Sequence, residues 1–430
     1  MTLCRIWVMR KLLQAWSCSM CTYSEFPNTT ENIKLKAKKA RVSKAHVKQV
    51  NTFIENNLDI VQYRDSIPCK YLNTKSIKQT RSLYLISPTV AESIGSHVMK
   101  AVRVQDEHVI AETNPGLGLI TRYLLDQDVN KIHLYESCEE FQLSIKRLHA
   151  DYLNRMEFYP RNFFHLSFYS RLDKYDNGNR VASLLRHVPA KRWLEGPAIT
   201  VIGTMQNLKF LQFLITGIVM QTHLALFGRV QIFAIMSPKD YRALNSKKFL
   251  SHWSILFNVF MDYELLEKYD RRFFVPWQSD RKNGRTNSNG LEAGVLYLVK
   301  INMKKKLPLK GTEMLQFFYF TRRLLRSRRL RIIPLVEDWI PNCGLNLMAP
   351  KLKHEDYFDE MGIFTQFDEL NPNQIVSLFK EIAASESYEK SSFVNLIEHQ
   401  LMHRETIDTD LNKYLEEIIT NELQNKDDLQ

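Results

Sequence analysis

No apolar run in the chain approaches the roughly 20 residues that a membrane-spanning helix requires, so no span of the bilayer is expected. Cysteine is sparse and scattered, at Cys4, Cys18, Cys21, Cys69, Cys138 and Cys343. Cys18 and Cys21 have the spacing of a metal or redox pair, but no second pair answers them, so free thiols are expected and a metal site is not. Acidic residues are missing altogether before Glu25. In the same segment Arg5, Arg10 and Lys11 punctuate Ile6, Trp7, Val8, Leu12, Leu13 and Trp16. A basic amphipathic helix without acids has the character of a mitochondrial transit peptide, and a secretory signal would need a longer uninterrupted apolar core. The expectation is therefore a mitochondrial matrix protein whose residues 1–45 are transit peptide and basic arm. Lys34, Lys36, Lys38, Lys39, Arg41, Lys44 and Lys48 continue the basic character. Such a run is either a solvated arm or a contact to phosphates, and sequence alone leaves both readings open.

What is present is enough for a large core, since 44% of the 430 residues are apolar and the length suits two domains. The net charge of +12 is distributed unevenly. The chain is organised around Val109–Thr121, which opens as an apolar strand from His108 to Glu112. It then turns through Pro115, Gly116 and Gly118 and continues as a helix bearing Leu119, Ile120, Tyr123, Leu124 and Leu125 at helical spacing. Strand, glycine turn and helix form a nucleotide cradle, because glycine lets a ligand approach the backbone and the new helix offers free N–H groups. A second apolar strand, Lys131 to Glu136, follows at βαβ distance. A carboxylate at its tip stands where such folds hold two ribose hydroxyls. A purely structural turn in an α/β domain is the plainer alternative.

Glu112, four residues before Gly116, gives this run a close resemblance to the rRNA adenine N6-dimethyltransferase family, whose motif reads Glu-Ile-Gly-Pro-Gly-Leu-Gly-x-Leu-Thr. Asn114 stands where that family has its first glycine, and asparagine tolerates the left-handed backbone such a turn demands. The stretch Arg81–Pro88 looks like the family's opening Gln-Asn-Phe-Leu segment, with Tyr84 and Leu85 on its Phe and Leu and Leu83 in place of its asparagine. The resemblance implies an α/β fold with a class I methyltransferase Rossmann-like sheet and a small C-terminal helical domain. It also implies a site for S-adenosyl-L-methionine, kept or vestigial, at Leu85, Glu112, Gly116, Gly118, Glu136 and Asn162. Asn162 aligns with the family's adenine-binding aspartate, and its side-chain carbonyl can still accept a hydrogen bond.

The fourth strand, Ala198 to Gly203, ends in the family in Gly-Asn-Leu-Pro-Tyr. There the asparagine and a backbone carbonyl accept hydrogen bonds from the adenine amine while the aromatic ring stacks on the flipped base. That geometry lets the amine attack the sulfonium methyl. Thr204, Met205, Gln206 and Asn207 occupy those four positions here, and none of the three chemically informative residues is kept. A lost stack alone costs roughly 1–3 kcal/mol per base. Little or no adenine methylation is expected, and no catalytic residue can be assigned.

The scaffold then continues by pattern. A helix runs from Glu139 to Tyr152, a long helical stretch from Leu208 to Phe227, and a fifth strand from Arg229 to Met236. Ser237 and Pro238 start a further helix through Tyr241 and Leu244. Phe273–Trp277 and Leu296–Ile301 read as the closing strand pair, joined by a polar loop over Ser279–Gly290. From Met314 an aromatic-rich helix leads into Arg322, Arg323, Arg326, Arg328, Arg329 and Arg331, with no acid before Glu337. Arginines so dense and unbalanced point to nucleic-acid backbone, and Arg328 and Arg329 match a basic pair in the family's helical domain. Helical spacing returns at Ile375, Leu378, Phe379 and Ile382, and at Leu411, Tyr414, Leu415 and Ile418, ahead of an acidic end. The expected division is residues 46–305 as the Rossmann-like domain and 306–430 as a helical nucleic-acid-binding domain. A branch of the family that combines these features helps mitochondrial RNA polymerase open promoter DNA in the nucleoid, so polymerase and promoter DNA are the expected partners. An active mitochondrial small-subunit rRNA dimethyltransferase, and an RNA binder that neither methylates nor meets polymerase, remain as alternatives.

Overall fold

Apolar β-branched runs alternate with amphipathic helices along the middle of the chain, and each run becomes a strand of one sheet. The structure is a computed structural model describing residues 44–72, 82–102, 109–152, 155–245, 251–277, 294–326, 329–348 and 362–402. The expected transit peptide, most of the basic arm, the Ser279–Gly290 loop, Arg328 and the Leu411–Ile418 helix lie outside these residues. The last part of the basic arm is helical. From Lys44 it is helix α1 (Lys44–Glu55), whose Val50 and Ile54 are buried, followed by the short helices α2 (Leu58–Val61) and α3 (Cys69–Leu72).

Strand β1 (Tyr84–Leu85) leads into α4 (Pro88–Val102), and β2 (Val109–Thr113) begins the main sheet. Then come α5 (Leu119–Asp126), β3 (Ile132–Tyr135), α6 (Glu139–Asp151), β4 (Met156–Tyr159), α7 (Leu166–Asp176) and α8 (Arg180–Leu185). The second half of the sheet is carried by β5 (Ile199–Thr204), α9 (Lys209–Met220), β6 (Val230–Met236), α10 (Pro238–Leu244), α11 (His252–Phe260), β7 (Met261–Asp270), β8 (Phe274–Val275) and β9 (Val295–Met303). The sheet order is β4-β3-β2-β5-β6-β9-β7, with β2 to β6 parallel and β9 antiparallel to both its neighbours. This is the expected Rossmann-like methyltransferase sheet, doubly wound and closed by an antiparallel pair. Every residue of β2, β3, β5 and β6 is buried, as a parallel sheet covered on both faces requires.

Two expectations need correction. The closing pair is β9 with β7, whereas β8 leaves the main sheet and pairs antiparallel with β1 (Leu85 opposite Phe274). The long helical pattern from Leu208 breaks after Met220. Gln221 turns left-handed at φ 52°, Thr222 is extended, and a 3-10 turn follows over His223–Phe227.

Helices α12 (Gly311–Arg326), α13 (Ile332–Trp339), α14 (Cys343–Met348), α15 (Pro372–Ala383) and α16 (Ser392–Met402) complete the described chain. Asn371 caps α15 by accepting from the Gln374 amide at 3.0 Å, and all four periodic residues Ile375, Leu378, Phe379 and Ile382 are buried. One hydrophobic core includes Val201 and Ile232 of the sheet together with Phe317, Trp339 and Phe379 of these helices. No described helix is long and apolar enough to cross a membrane.

Candidate cofactor and nucleic-acid site

The parallel register sets Glu112 opposite Leu134 and Ile202, and Thr113 opposite Tyr135 and Gly203, so the carboxyl ends of β2, β3 and β5 open toward one side. At the end of β2 the chain turns through Asn114 (φ 54°), Gly116 (φ 60°) and Gly118 (φ 72°) before α5 begins. The left-handed asparagine allows the turn to survive the loss of the family's first glycine. Gly203 extends the same logic to β5. A Cβ there would lie 2.6 Å from the Thr113 carbonyl oxygen, so only glycine lets the two strands pair at this point.

Five of the expected cofactor residues are gathered here, Gly116 and Gly118 in the turn and Glu112, Glu136 and Asn162 around it, and each polar one is engaged by the protein itself. Glu112 is buried and accepts a short hydrogen bond from the Thr121 hydroxyl within α5. Burial raises its pKa to about 7 against the opposing pull of Thr121, with the Glu136 charge adding to the rise. Glu136 is 0% exposed. Its carboxylate accepts from the Gly116 amide at 3.1 Å, the Cys138 amide at 2.7 Å and the Tyr84 hydroxyl at 3.4 Å. Burial lifts Glu136 to about 7 as well, although those donors favour its charged form. Asn162 does reach the turn, as expected. Its Oδ1 accepts from the Thr113 hydroxyl at 3.1 Å and from the Phe164 amide at 2.9 Å, and its Nδ2 donates to Asn114 Oδ1 at 3.1 Å. Leu85 is buried in the core beside Ile94 and Phe274. A ribose needs acceptors at Glu136 and an adenine amine needs one at Asn162. Glu136 thus holds three internal donors and Asn162 Oδ1 two, at the positions where the family resemblance places a ribose and an adenine amine.

The altered motif at the end of β5 is also turned inward. The Thr204 hydroxyl donates to the Leu83 carbonyl at 2.7 Å, tying β5 to the segment before β1. Met205 is buried and Gln206 is exposed. Asn207 Oδ1 accepts from the Lys209 amide at 2.9 Å, at the start of α9. These side chains share a cleft of about 40 Å³ with Asn114, Asn162, Phe164, His165 and Phe210, room for roughly three waters. Phe164, His165 and Phe210 are cleft residues that sequence reasoning did not single out. The Phe-Phe-His run after Asn162 was the available signal, because its 3-10 turn buries Phe163 and leaves Phe164 toward the cleft.

The arginine cluster is placed at the end of α12 and the turn after it. Arg322 and Arg323 are half-buried, and Arg329 is exposed. The Arg323 guanidinium lies 4.6 Å from the Trp339 ring centre, so it helps to pack α13. The side chains of Arg326 and Arg328 lie outside the described residues. Arg331 bridges to Gln366, and its guanidinium sits 4.5 Å from the centre of the Phe364 ring. Phe364 is 64% exposed, Leu330 52% and Ile363 48%, so apolar and cationic groups alternate on one surface.

Residues 73–349 match the family model described as ribosomal RNA adenine dimethylase. The protein named "Dimethyladenosine transferase 2, mitochondrial" of Drosophila melanogaster is 28% identical over 393 residues, spanning 82% of this chain and 87% of that protein. Among solved structures, the 23S rRNA methyltransferase ErmE is similar over 70% of this chain and 99% of its own, at 13% identity and a TM-score of 0.43.

Proposed function

This chain belongs to the ribosomal RNA adenine dimethylase family, and we propose that within it the fold serves as a mitochondrial transcription initiation factor. In this reading the protein resembles mitochondrial transcription factor B, specifically its second paralogue, and helps mitochondrial RNA polymerase melt promoter DNA in the matrix nucleoid. The observation that carries the reading is the end of β5. Thr204 is committed to the Leu83 carbonyl and Asn207 to the start of α9, so the positions that present an amine to a methyl donor have become structural. A grip on polynucleotide needs none of that chemistry. Arg322, Arg329 and Arg331 offer charge for phosphates, and Phe364 offers a face for a base, the combination used by single-strand binders. A surface that holds separated strands and not duplex shifts the melting equilibrium by its differential affinity. The basic N-terminal segment without acids, and the word mitochondrial in the relative's name, favour the location.

The test is transcription by mitochondrial RNA polymerase on linear promoter DNA and on the same promoter with a pre-melted bubble. The full chain should stimulate the first strongly and the second little. Arg328→Ala combined with Arg329→Ala should lower stimulation on the linear template, and equal output with and without the protein would sink the proposal. A second reading, an active small-subunit rRNA dimethyltransferase, is favoured by the family match and by the relative's name. Methyl incorporation from labelled cofactor into an rRNA hairpin with paired adenines in its loop, at enzymatic rates, would establish it instead.

A further inference from the structure

Gly116 stands in the left-handed turn between β2 and α5, where the resemblance places the cofactor, yet the space it opens is taken. A Cβ on Gly116 would lie 2.9 Å from Cδ1 of Tyr84, so the ring of Tyr84 rests directly on the glycine. Behind that ring, Phe141 of α6 packs at 4.4 Å between centroids and Tyr71 of α3 at 5.3 Å, and Tyr71 stacks on Phe141 at 5.5 Å. All three rings are buried in one cluster with Val50, Ile54 and Ile60 of the N-terminal helices. The Tyr71 hydroxyl reaches Cys138 Sγ at 3.0 Å.

The polar groups are closed in the same way. A carboxylate offers about four lone-pair sites. Glu136 receives the amides of Gly116 and Cys138 and the Tyr84 hydroxyl. Three of its sites are taken, so it cannot accept from two ribose hydroxyls without giving up an internal donor. We propose that Tyr84, backed by Tyr71 and Phe141, is an internal occupant of the ribose seat, so that the protein keeps a methyltransferase scaffold without taking up S-adenosylmethionine. The helices of residues 44–72 then have a definite role, since they bring Tyr71 over the seat and seal it with apolar side chains. This assignment stands on packing within one chain and does not depend on the transcription reading. Loss of polymerase stimulation would leave it intact, and cofactor binding would overturn it without touching the transcription assay.

The probe is S-adenosylhomocysteine, titrated calorimetrically into the full-length protein. The native chain should show no saturable binding, and a dissociation constant tighter than about 1 mM overturns the proposal. Tyr71→Ala combined with Tyr84→Ala should open the seat and tighten binding at least roughly tenfold. A double variant that is folded by circular dichroism and still ignores the probe shows that the rings are not the block. Should the double variant fail to fold, alkylation of Cys138 in the native chain decides the matter. The rate should be the same with and without millimolar probe, and a rate that changes would mean the rings yield to the ligand.

Discussion

At Glu112, burial and ionisation pull in opposite directions. The side chain is held at the end of β2 by a short bond from Thr121, and burial lifts its pKa from 4.5 to about 7. An acid whose folded pKa lies above its unfolded value adds stability below about pH 4.5 that is lost as the pH rises through about 7. Glu112→Gln keeps an acceptor for Thr121 and removes this dependence. In urea titrations the variant should gain on the native chain between these pH values, by at most about 1.4 kcal/mol per pH unit. His133 works the other way, since burial lowers it from 6.5 to about 4 and its contribution grows as the pH rises over that range. The difference between variant and native chain cancels the His133 contribution. A difference that stays flat with pH would show that Glu112 is ionised in the native state.

The elements divide by how completely their surroundings are encoded nearby. Strands β2, β3, β5 and β6 are buried along their whole length, so their apolar runs were legible, and Ser237 with Pro238 marked α10 correctly by accepting the Asp240 amide at 3.2 Å. Strand β7 was missed because Met261–Asp270 is an edge, with Asp262, Glu264, Glu267 and Lys268 spaced along it. Charges on an edge discourage pairing with other chains and hide the strand's periodicity. The inward turn of Thr204 and the filling of the glycine cradle by Tyr84 were illegible for a different reason. Both depend on partners far away in sequence, Leu83 for the first and Tyr71 and Phe141 for the second. The arginine-rich turn after α12 was legible as charge, but its aromatic companion Phe364 entered only through the Arg331 to Gln366 bridge. The two kinds of group should separate in binding to a single-stranded oligonucleotide followed by fluorescence anisotropy. Arg329→Ala should make the dependence of log affinity on log salt shallower by roughly 0.7. Phe364→Ala should weaken binding by about 1–3 kcal/mol with the salt slope unchanged. Two variants that bind as the native chain does would remove this turn from the proposed nucleic-acid surface.

Across the whole molecule, the pattern of strands followed by helices suggests a boundary near residue 305, but apolar contact runs through it. Phe379 of α15 is fully buried, lies 5.3 Å from Phe317 and 5.4 Å from Phe320 of α12, and belongs to the same core as Val201, Ile232 and Phe257. Helix α12 therefore cannot lose its aromatic partners without exposing part of the surface that covers the sheet. A helical domain with its own core would melt in a separate step and could be weakened alone. A shared core predicts one transition for the described body, detected together by far-ultraviolet circular dichroism and by tryptophan fluorescence. Phe379→Ala should lower the stability of that single transition by about 3–5 kcal/mol, the range for emptying a buried phenylalanine site. Two transitions, with only the later helices shifted by the substitution, would show that the sheet stands without them. The arginine-bearing turn after α12, proposed here to meet nucleic acid, would then belong to an appended module, free to move against the sheet.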